Sequence, residues 1–550
     1  MKLWCKRALT LFLCMTMLCG AAVLPSYAAG SDELDEPPSA LMRIAYGAAD
    51  AAVRSIAWVI GSLIPDAGTP RKFALGGPDF YPGMDTFLDA PATGAKWSLG
   101  YASATLIPEG LFDPETKEYI GPDDVFMGGG LLIGERKTPT KLLDDQRVRV
   151  TAMSDGSGRG TAVFASIDGY ALTSYDVRII RTLLQDFAKD KNVVSINIGV
   201  LHQHSAIDIL GMNGPLLLAL LVNPWINLLP GNFIEPYSGR NTAFMENLHK
   251  VTVKAIKEAV NGMEEGDLYY GDYEAEPYIY DKRAPNVIDS KLRRFRFVPD
   301  KTGVKETWLV NYAAHCVGMG AGTRELTGDY PYFMDRHVQE KYGANFQMIQ
   351  GAQLAITTER KPFEQEWMNG YERVEAYGRG LIEKLATIDD AKVPALLNVH
   401  SVEFTMDCDN PLHMLLFRSG MLKSSGYKTN LIGYRMSLVT ETGYMEIGND
   451  LAMVFGPGEL DPILLYGGAL GADQAWTGKD FIFTPMKDMV RGNRELLTFG
   501  IMNDHSGYYL VPNDVHNFIL FGNEEINTVN VNAGAKLLDA FKAVTDWAKK

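Results

Sequence analysis

The stretch Val193-Val-Ser-Ile-Asn-Ile-Gly-Val-Leu-His202-Gln-His204-Ser205 decides how the chain is read. Its β-branched run predicts a buried strand from Val193 to His202 that delivers two imidazoles at its end. Upstream, Val148 to Met153 and Thr161 to Asp168 read as a hairpin across Asp155-Gly-Ser-Gly, followed by an amphipathic helix near Tyr175 to Lys189. Downstream, Thr242 to Met263 has helical spacing and Thr307 to His315 reads as another strand. Helices near Gly328 to Tyr342 and Glu364 to Leu385 flank a strand at Phe346 to Gly351, and residues 393 to 456 read as successive strands. This alternation predicts an α/β fold: a mixed, partly parallel central sheet flanked by helices, in a single large domain over residues 71–550.

With 550 residues, 46% hydrophobic and 22% charged, the chain has ample material for a large core. The formal net charge is −15, and nearer −18 without the three cations of the first 28 residues. That sign argues against nucleic-acid binding, which needs clustered Lys and Arg. The basic segment Lys291-Leu-Arg-Arg-Phe-Arg296 reads as a strand with a solvated face.

Residues 1–28 have the parts of a secretory signal: a basic start, an apolar run from Leu9 to Leu24, and a small-residue site at Ser26-Tyr-Ala28. Cleavage after Ala28 is expected, which makes the protein secreted or held at the cell envelope; the run is short for an uncleaved anchor. Residues 29–70 read as an N-terminal helical extension. Three of five cysteines lie in the signal, leaving Cys316 and Cys408, which an oxidising compartment could join. Any metal must rely on His and carboxylate.

Nine histidines occur, and His202 and His204 stand out because they close a strand, where an α/β sheet presents its crevice. A second strand, Trp308-Leu-Val-Asn-Tyr-Ala-Ala-His315, also ends in a histidine. Two strand ends that each deliver an imidazole fit a site assembled at the edge of a sheet. The run from Pro215 to Pro230, with Leu-Leu-Leu-Ala-Leu-Leu-Val and Trp225, is too short to span a bilayer. It either lines an acyl-chain groove or dips into an interface, or it is a buried core helix.

These motifs resemble those of the neutral, non-lysosomal ceramidases over about residues 95 to 545. The resemblance rests on His202-Gln-His204-Ser205, Asn311-Tyr-Ala-Ala-His315, Gly328-Asp-Tyr-Pro331, Pro457-Gly-Glu459 and Asn503-Asp-His-Ser-Gly-Tyr508, in the family's order. It implies one zinc ion per chain, held by His202, His315, Glu459 and Tyr508, with Tyr509 as the neighbouring alternative to Tyr508. A turn residue after Gly456-Pro-Gly458 is the lesser alternative for Glu459. The resemblance implies cleavage of the amide of ceramide, a lipid partner, to a fatty acid and sphingosine. Tyr508 belongs to the implied catalytic set, as does His204, a hydrogen-bond donor or general acid beside the metal. Tyr509 and His505 are candidates for substrate contact.

One departure matters. Members of the family carry a Ser-containing Gly-Asp-x-x-Pro segment where this chain reads Phe346-Gln-Met-Ile-Gln-Gly-Ala-Gln353-Leu-Ala-Ile-Thr357-Thr-Glu359. Zinc-bound hydroxide then attacks directly, or Thr357 contributes, or the substrate is another amide. The immunoglobulin-like C-terminal domain of many members is not expected before Lys550. Asp168 reads as a turn or cap, with a role near the site as the lesser alternative, and Arg178 and Arg181 read as solvated. Three functions stand: a ceramidase-like zinc amidohydrolase with possible peripheral membrane contact, a zinc amidase for N-acyl amino acids or other amides, and a non-catalytic lipid-binding envelope protein.

Overall fold

A computed structural model describes residues 39–63, 75–129, 138–226, 236–320, 322–428, 436–516 and 523–550. The expected signal segment lies outside the described residues, as does the apolar run beyond Ile226. In chain order the main elements begin with α1 (Ala40–Leu63), β1 (Trp97–Thr105), β2 (Arg147–Ser154), β3 (Thr161–Ile167), α2 (Ser174–Asp190) and β4 (Val193–Val200). There follow α3 (Leu216–Ile226), α4 (Thr242–Asn261), β5 (Glu264–Glu274), β6 (Lys291–Pro299), β7 (Thr307–Tyr312), α5 (Asp329–His337), β8 (Asn345–Gln350) and α6 (Gly370–Leu385). The last are β9 (Leu397–Cys408), α7 (Pro411–Arg418), β10 (Met436–Ile447), β11 (Leu451–Phe455), β12 (Glu495–Phe499) and α8 (Ala533–Ala548).

The mixed α/β architecture is the expected one. A nine-stranded sheet runs β8-β7-β6-β5-β1-β2-β3-β4, with Ala391–Val393 added to β5. The end pairs β7/β8 and β3/β4 are parallel, and the pairs between them antiparallel. The region from 393 to 456, interrupted by α7, supplies β9, β10, β11 and Gly426–Lys428 to a second, five-stranded sheet in the order β9-β10-β11-β12, with Gly426–Lys428 on β10. The two sheets pack face to face through Trp97, Leu99, Met153 and Phe164 on one side and Met445, Met453, Phe455 and Phe499 on the other. Phe164 meets Phe455 and Phe499 edge-on, at centroid distances of 5.9 and 5.7 Å, so its truncation to Ala would cost about 3–5 kcal/mol. Helices cover the outer faces: α2 and α4 on one half of the first sheet, α5 and α6 on the other half, α8 on the second sheet.

Several sequence expectations shift. β4 stops at Val200, before His202, because His202 takes a left-handed φ of 58° that no strand accommodates. The helix expected from Glu364 starts at Gly370, where Asn369 and Glu372 form a capping box. Arg178 and Arg181 are buried, not solvated, because their face of α2 is turned toward the second sheet. There Arg178 pairs with Glu403 and Asp79, and Arg181 forks onto both Glu441 oxygens at 2.7 and 2.8 Å. β6, read as having a solvated face, has buried arginines on both faces: Arg293 pairs with Asp289 on one and Arg294 with Asp390 on the other. Cys316 and Cys408 are both buried free thiols.

The helical part of the N-terminal extension, α1, packs against α7, and Arg54 bonds the Asp409 carbonyl at 3.2 Å. Of the apolar run, α3 buries Ala219, Asn223 and Ile226 and exposes Leu218, Leu221 and Trp225, so it is half core and half surface. Among the described residues no helix is long and apolar enough to cross a membrane.

Candidate metal centre

Three chain reversals meet where the two sheets join. Beyond β4, His204 N–H donates to the Cys316 carbonyl at 3.0 Å, and Gln203 forms a parallel bridge with Cys316, one residue past His315. Beyond β7, His315 N–H donates to the Ile356 carbonyl at 3.1 Å. From the second sheet, a two-residue parallel ladder sets Glu459 opposite Tyr508 and Leu460 opposite Tyr509. Extended neighbours point to opposite faces, so Tyr508 shares the Glu459 side, where the carboxylate bears on its phenol. Tyr509 turns into the core with Leu460 and bonds the Ser506 hydroxyl at 2.6 Å. The structure therefore separates the two tyrosines and corrects the expectation that Tyr509 contacts substrate.

Glu459 is the hub. Its Oε1 lies 3.3 Å from His202 Nε2 and 3.2 Å from His505 Nε2, and its Oε2 lies 3.0 Å from His315 Nε2. The His202 ring stands nearly perpendicular to those of His204 and His315, at 4.9 and 5.0 Å between centroids, and stacks on His505 at 5.6 Å. Sequence reading placed His505 with the substrate; the structure puts it directly on Glu459.

The backbone sets the tautomer of three rings. Nδ1 of His202, His204 and His315 each meets a carbonyl: Tyr170 at 2.9 Å, Gly129 at 2.9 Å and Ile356 at 2.6 Å. A carbonyl only accepts, so each Nδ1 carries the proton and each Nε2 keeps a lone pair. Nε2 of His202 and His204 and Oε2 of Glu459 are buried without a hydrogen-bond partner. Ligand atoms of His202, His204 and His315 lie within 4.8 Å of one another, as do those of His202, Glu459 and His505. This convergence of nitrogen lone pairs and carboxylate oxygens could hold a metal ion. Imidazole nitrogen and carboxylate oxygen suit zinc, and carbonyl-bonded Nδ1 atoms are the usual outer support of histidine ligands.

Electrostatics agree with that arrangement. Burial, reinforced by His204 and His315, holds the His202 imidazole well below its ordinary value of 6.5 against the pull of Glu459. Burial and then His315 push His204 down to about 3. Burial alone would raise Glu459, but His202 and His315 hold it well below the usual carboxylate range. The Tyr508 phenol is kept above its ordinary range by burial and by Glu459; a bound cation would reverse that pressure.

Some supporting residues were invisible in the sequence. The Tyr170 ring lies 4.5 Å from that of His202 and 4.9 Å from that of His204. Gly129 has φ of 78°, and a Cβ there would sit 2.4 Å from the His204 Cα. The glycine run at 128–130 was a visible signal; what it approaches was not. Gln203 donates to the Gly328 carbonyl at 2.6 Å and to Asp168 at 3.2 Å. Asp168 is neither a cap nor a member of the cluster: it pairs with the buried Arg149 beneath the histidine motif. In the segment that lacks serine, Thr357 lies in a short strand paired with Tyr280, and both amide atoms of the buried Gln353 are unpartnered.

No family model and no curated protein matches the sequence. Among solved structures, the neutral ceramidase from Pseudomonas aeruginosa superposes with a TM-score of 0.56 at 12% identity, covering 82% of this chain and 75% of that chain. A ceramidase complexed with C2 gives a TM-score of 0.55 at 12% identity, with the same coverage. The chain has the fold of the neutral ceramidases.

Proposed function

We propose that the chain is an exported zinc-dependent amidohydrolase that cleaves the amide of ceramide or a related N-acyl lipid to a fatty acid and a sphingoid base. The observation that carries this reading is the convergence of histidine Nε2 lone pairs on Glu459 within a neutral ceramidase fold. His202, His315, Glu459 and Tyr508 would hold the zinc, which when bound polarises the substrate carbonyl and acidifies water. His204 enters the reaction neutral, with its Nε2 lone pair available, so it first accepts a proton from the attacking water and then passes it to the departing amine. The expected role of general acid therefore follows an initial act as base. His505 braces Glu459 by its 3.2 Å contact. The exposed Leu218, Leu221 and Trp225 of α3 offer an apolar surface to a lipid partner or a membrane interface. The basic start and apolar run of residues 1–28 support export.

A second reading, a zinc amidase for N-acyl amino acids or other amides, is favoured by the segment without serine. Zinc content of the purified protein and fatty-acid release from a panel of ceramides and N-acyl amino acids test both. Zinc near one per chain with ceramide turnover is expected. Turnover of N-acyl amino acids alone selects the second reading, and protein without zinc whose behaviour His202→Ala leaves unchanged ends both.

A further inference from the structure

We propose that Gln350 is a positioning residue that sets the separation of His202 and His315, an inference that rests on the metal reading above. Gln350 is the last residue of β8 and is fully buried. Its amide nitrogen donates to the carbonyl of Leu201 at 2.8 Å and to that of Ala314 at 3.1 Å, the residues immediately before His202 and His315. The same nitrogen lies 3.4 Å from Cys316 Sγ, one residue after His315.

A primary amide has two N–H groups, and here two backbone carbonyls take them. The reversed amide would set Oε1 against two carbonyl oxygens, so the neighbours dictate the orientation. Oε1 itself is buried without a partner. A side chain that leaves its acceptor unsatisfied while both donors are used is retained for the donors.

The need for such a clamp follows from the topology. β4 is one end of the first sheet and β7 is next to the other end, so the backbone ladder joining them passes through every strand between. The two strand ends nevertheless lie side by side at the metal centre, because β8 folds back over β2, β3 and β4. Side chains stitch that seam: Gln347 donates to the Arg149 and Phe164 carbonyls at 3.0 Å, and the Ser166 hydroxyl donates to the Met348 carbonyl at 2.6 Å. Gln350 is the stitch at the metal end. Gln347 is further from it and serves as a control.

The test compares Gln350→Glu, Gln350→Met and Gln350→Asn with Gln347→Met and wild type. Zinc affinity by competition with a chelating dye, the visible spectrum of the cobalt-loaded protein and the urea midpoint are measured for each. Gln350→Asn keeps the donor but is one methylene too short for both carbonyls, and is the mildest of the three. Zinc affinity is expected to fall about 10–100-fold in every folded Gln350 variant, with an altered cobalt spectrum. Gln347→Met should lower the urea midpoint and keep both metal readouts. A folded Gln350 variant with wild-type zinc affinity and cobalt spectrum overturns the proposal, as does an equal loss of affinity in Gln347→Met. Wild-type protein that binds neither metal overturns the functional reading itself, and this inference with it.

Discussion

His202 Nε2 stands 3.3 Å from Glu459 Oε1, with both side chains fully buried. The histidine follows the edge strand of the first sheet, and the glutamate follows β11 of the second. Their meeting depends on the joint between the sheets, where Ile198 N–H donates to Asn503 Oδ1 at 2.8 Å and Val200 N–H to the Ile501 carbonyl at 3.3 Å. His202, Ile501 and Asn503 all carry positive φ. Left-handed backbone in residues with side chains costs about 1–3 kcal/mol each and persists where the surroundings impose it.

That joint places Tyr508 and Tyr509 on opposite faces, and their phenylalanine variants should part company. Tyr508→Phe is expected to lower zinc affinity at least about 10-fold and to abolish most turnover. Tyr509→Phe removes only the 2.6 Å bond with Ser506 and should cost about 1 kcal/mol of stability with zinc retained. Zinc titration and urea unfolding of both variants decide the matter; the reverse pattern would exchange the assignments.

The role given to His204 predicts a separation of binding from rate. His204→Ala should retain zinc and lower kcat by about 10²–10⁴-fold, the usual weight of a positioned acid–base group, while KM moves little. Steady-state kinetics with metal analysis of the same preparation check this. Loss of zinc in the variant would make His204 a ligand instead.

Asp144 gives a pH dependence of known sign. Burial pushes its carboxyl up to about 7 from 3.8, against donors from Gly328 N–H at 2.6 Å, the Thr327 hydroxyl at 2.5 Å and the Tyr371 hydroxyl at 2.8 Å. Between those values the folded chain holds a proton that the unfolded chain releases. Stability from this group is therefore full below about pH 4 and is lost as pH rises toward 7. Relative to Asp144→Asn, wild type should lose about 1.4 kcal/mol per pH unit across that window. Urea unfolding at pH 4.5, 5.5 and 6.5 measures the difference, and a flat result would contradict the raised value.

Arg181 and Glu441 test the joint between the sheets from the outside. Arg181→Met leaves a buried carboxylate without its guanidinium and should cost about 3–5 kcal/mol, whereas Arg181→Met with Glu441→Leu should cost less than the single change. Denaturant unfolding of the two singles and the double gives the coupling. Additive losses would show that the pair does not act as a unit.

Much of this was legible along the chain. The β-branched run after Asn192, the helical spacing from Thr242 and the strand before His315 each report burial through local periodicity, and each forms the expected kind of element. The histidine motifs and the Pro-Gly-Glu turn pointed to residues that the fold brings together, because short spacing within a motif survives folding. The burial of Arg178 and Arg181 was not legible: their face of α2 looks solvated until a second sheet lies against it. Nor was the end of β4, since the left-handed turn at His202 is imposed by contacts from Tyr170, Cys316 and the 501–503 loop.

By itself, then, the sequence determined the element types and the mixed α/β class, because those depend on neighbours within a few residues, and its motifs named candidate ligands through their resemblance to the ceramidases. Only the tertiary structure decided which tyrosine faces Glu459, that His505 joins the cluster, and that Gln350 ties His202 to His315. Those outcomes depend on how two sheets pack and roll, and side chains far apart in the chain acquire a common geometry only when that packing exists.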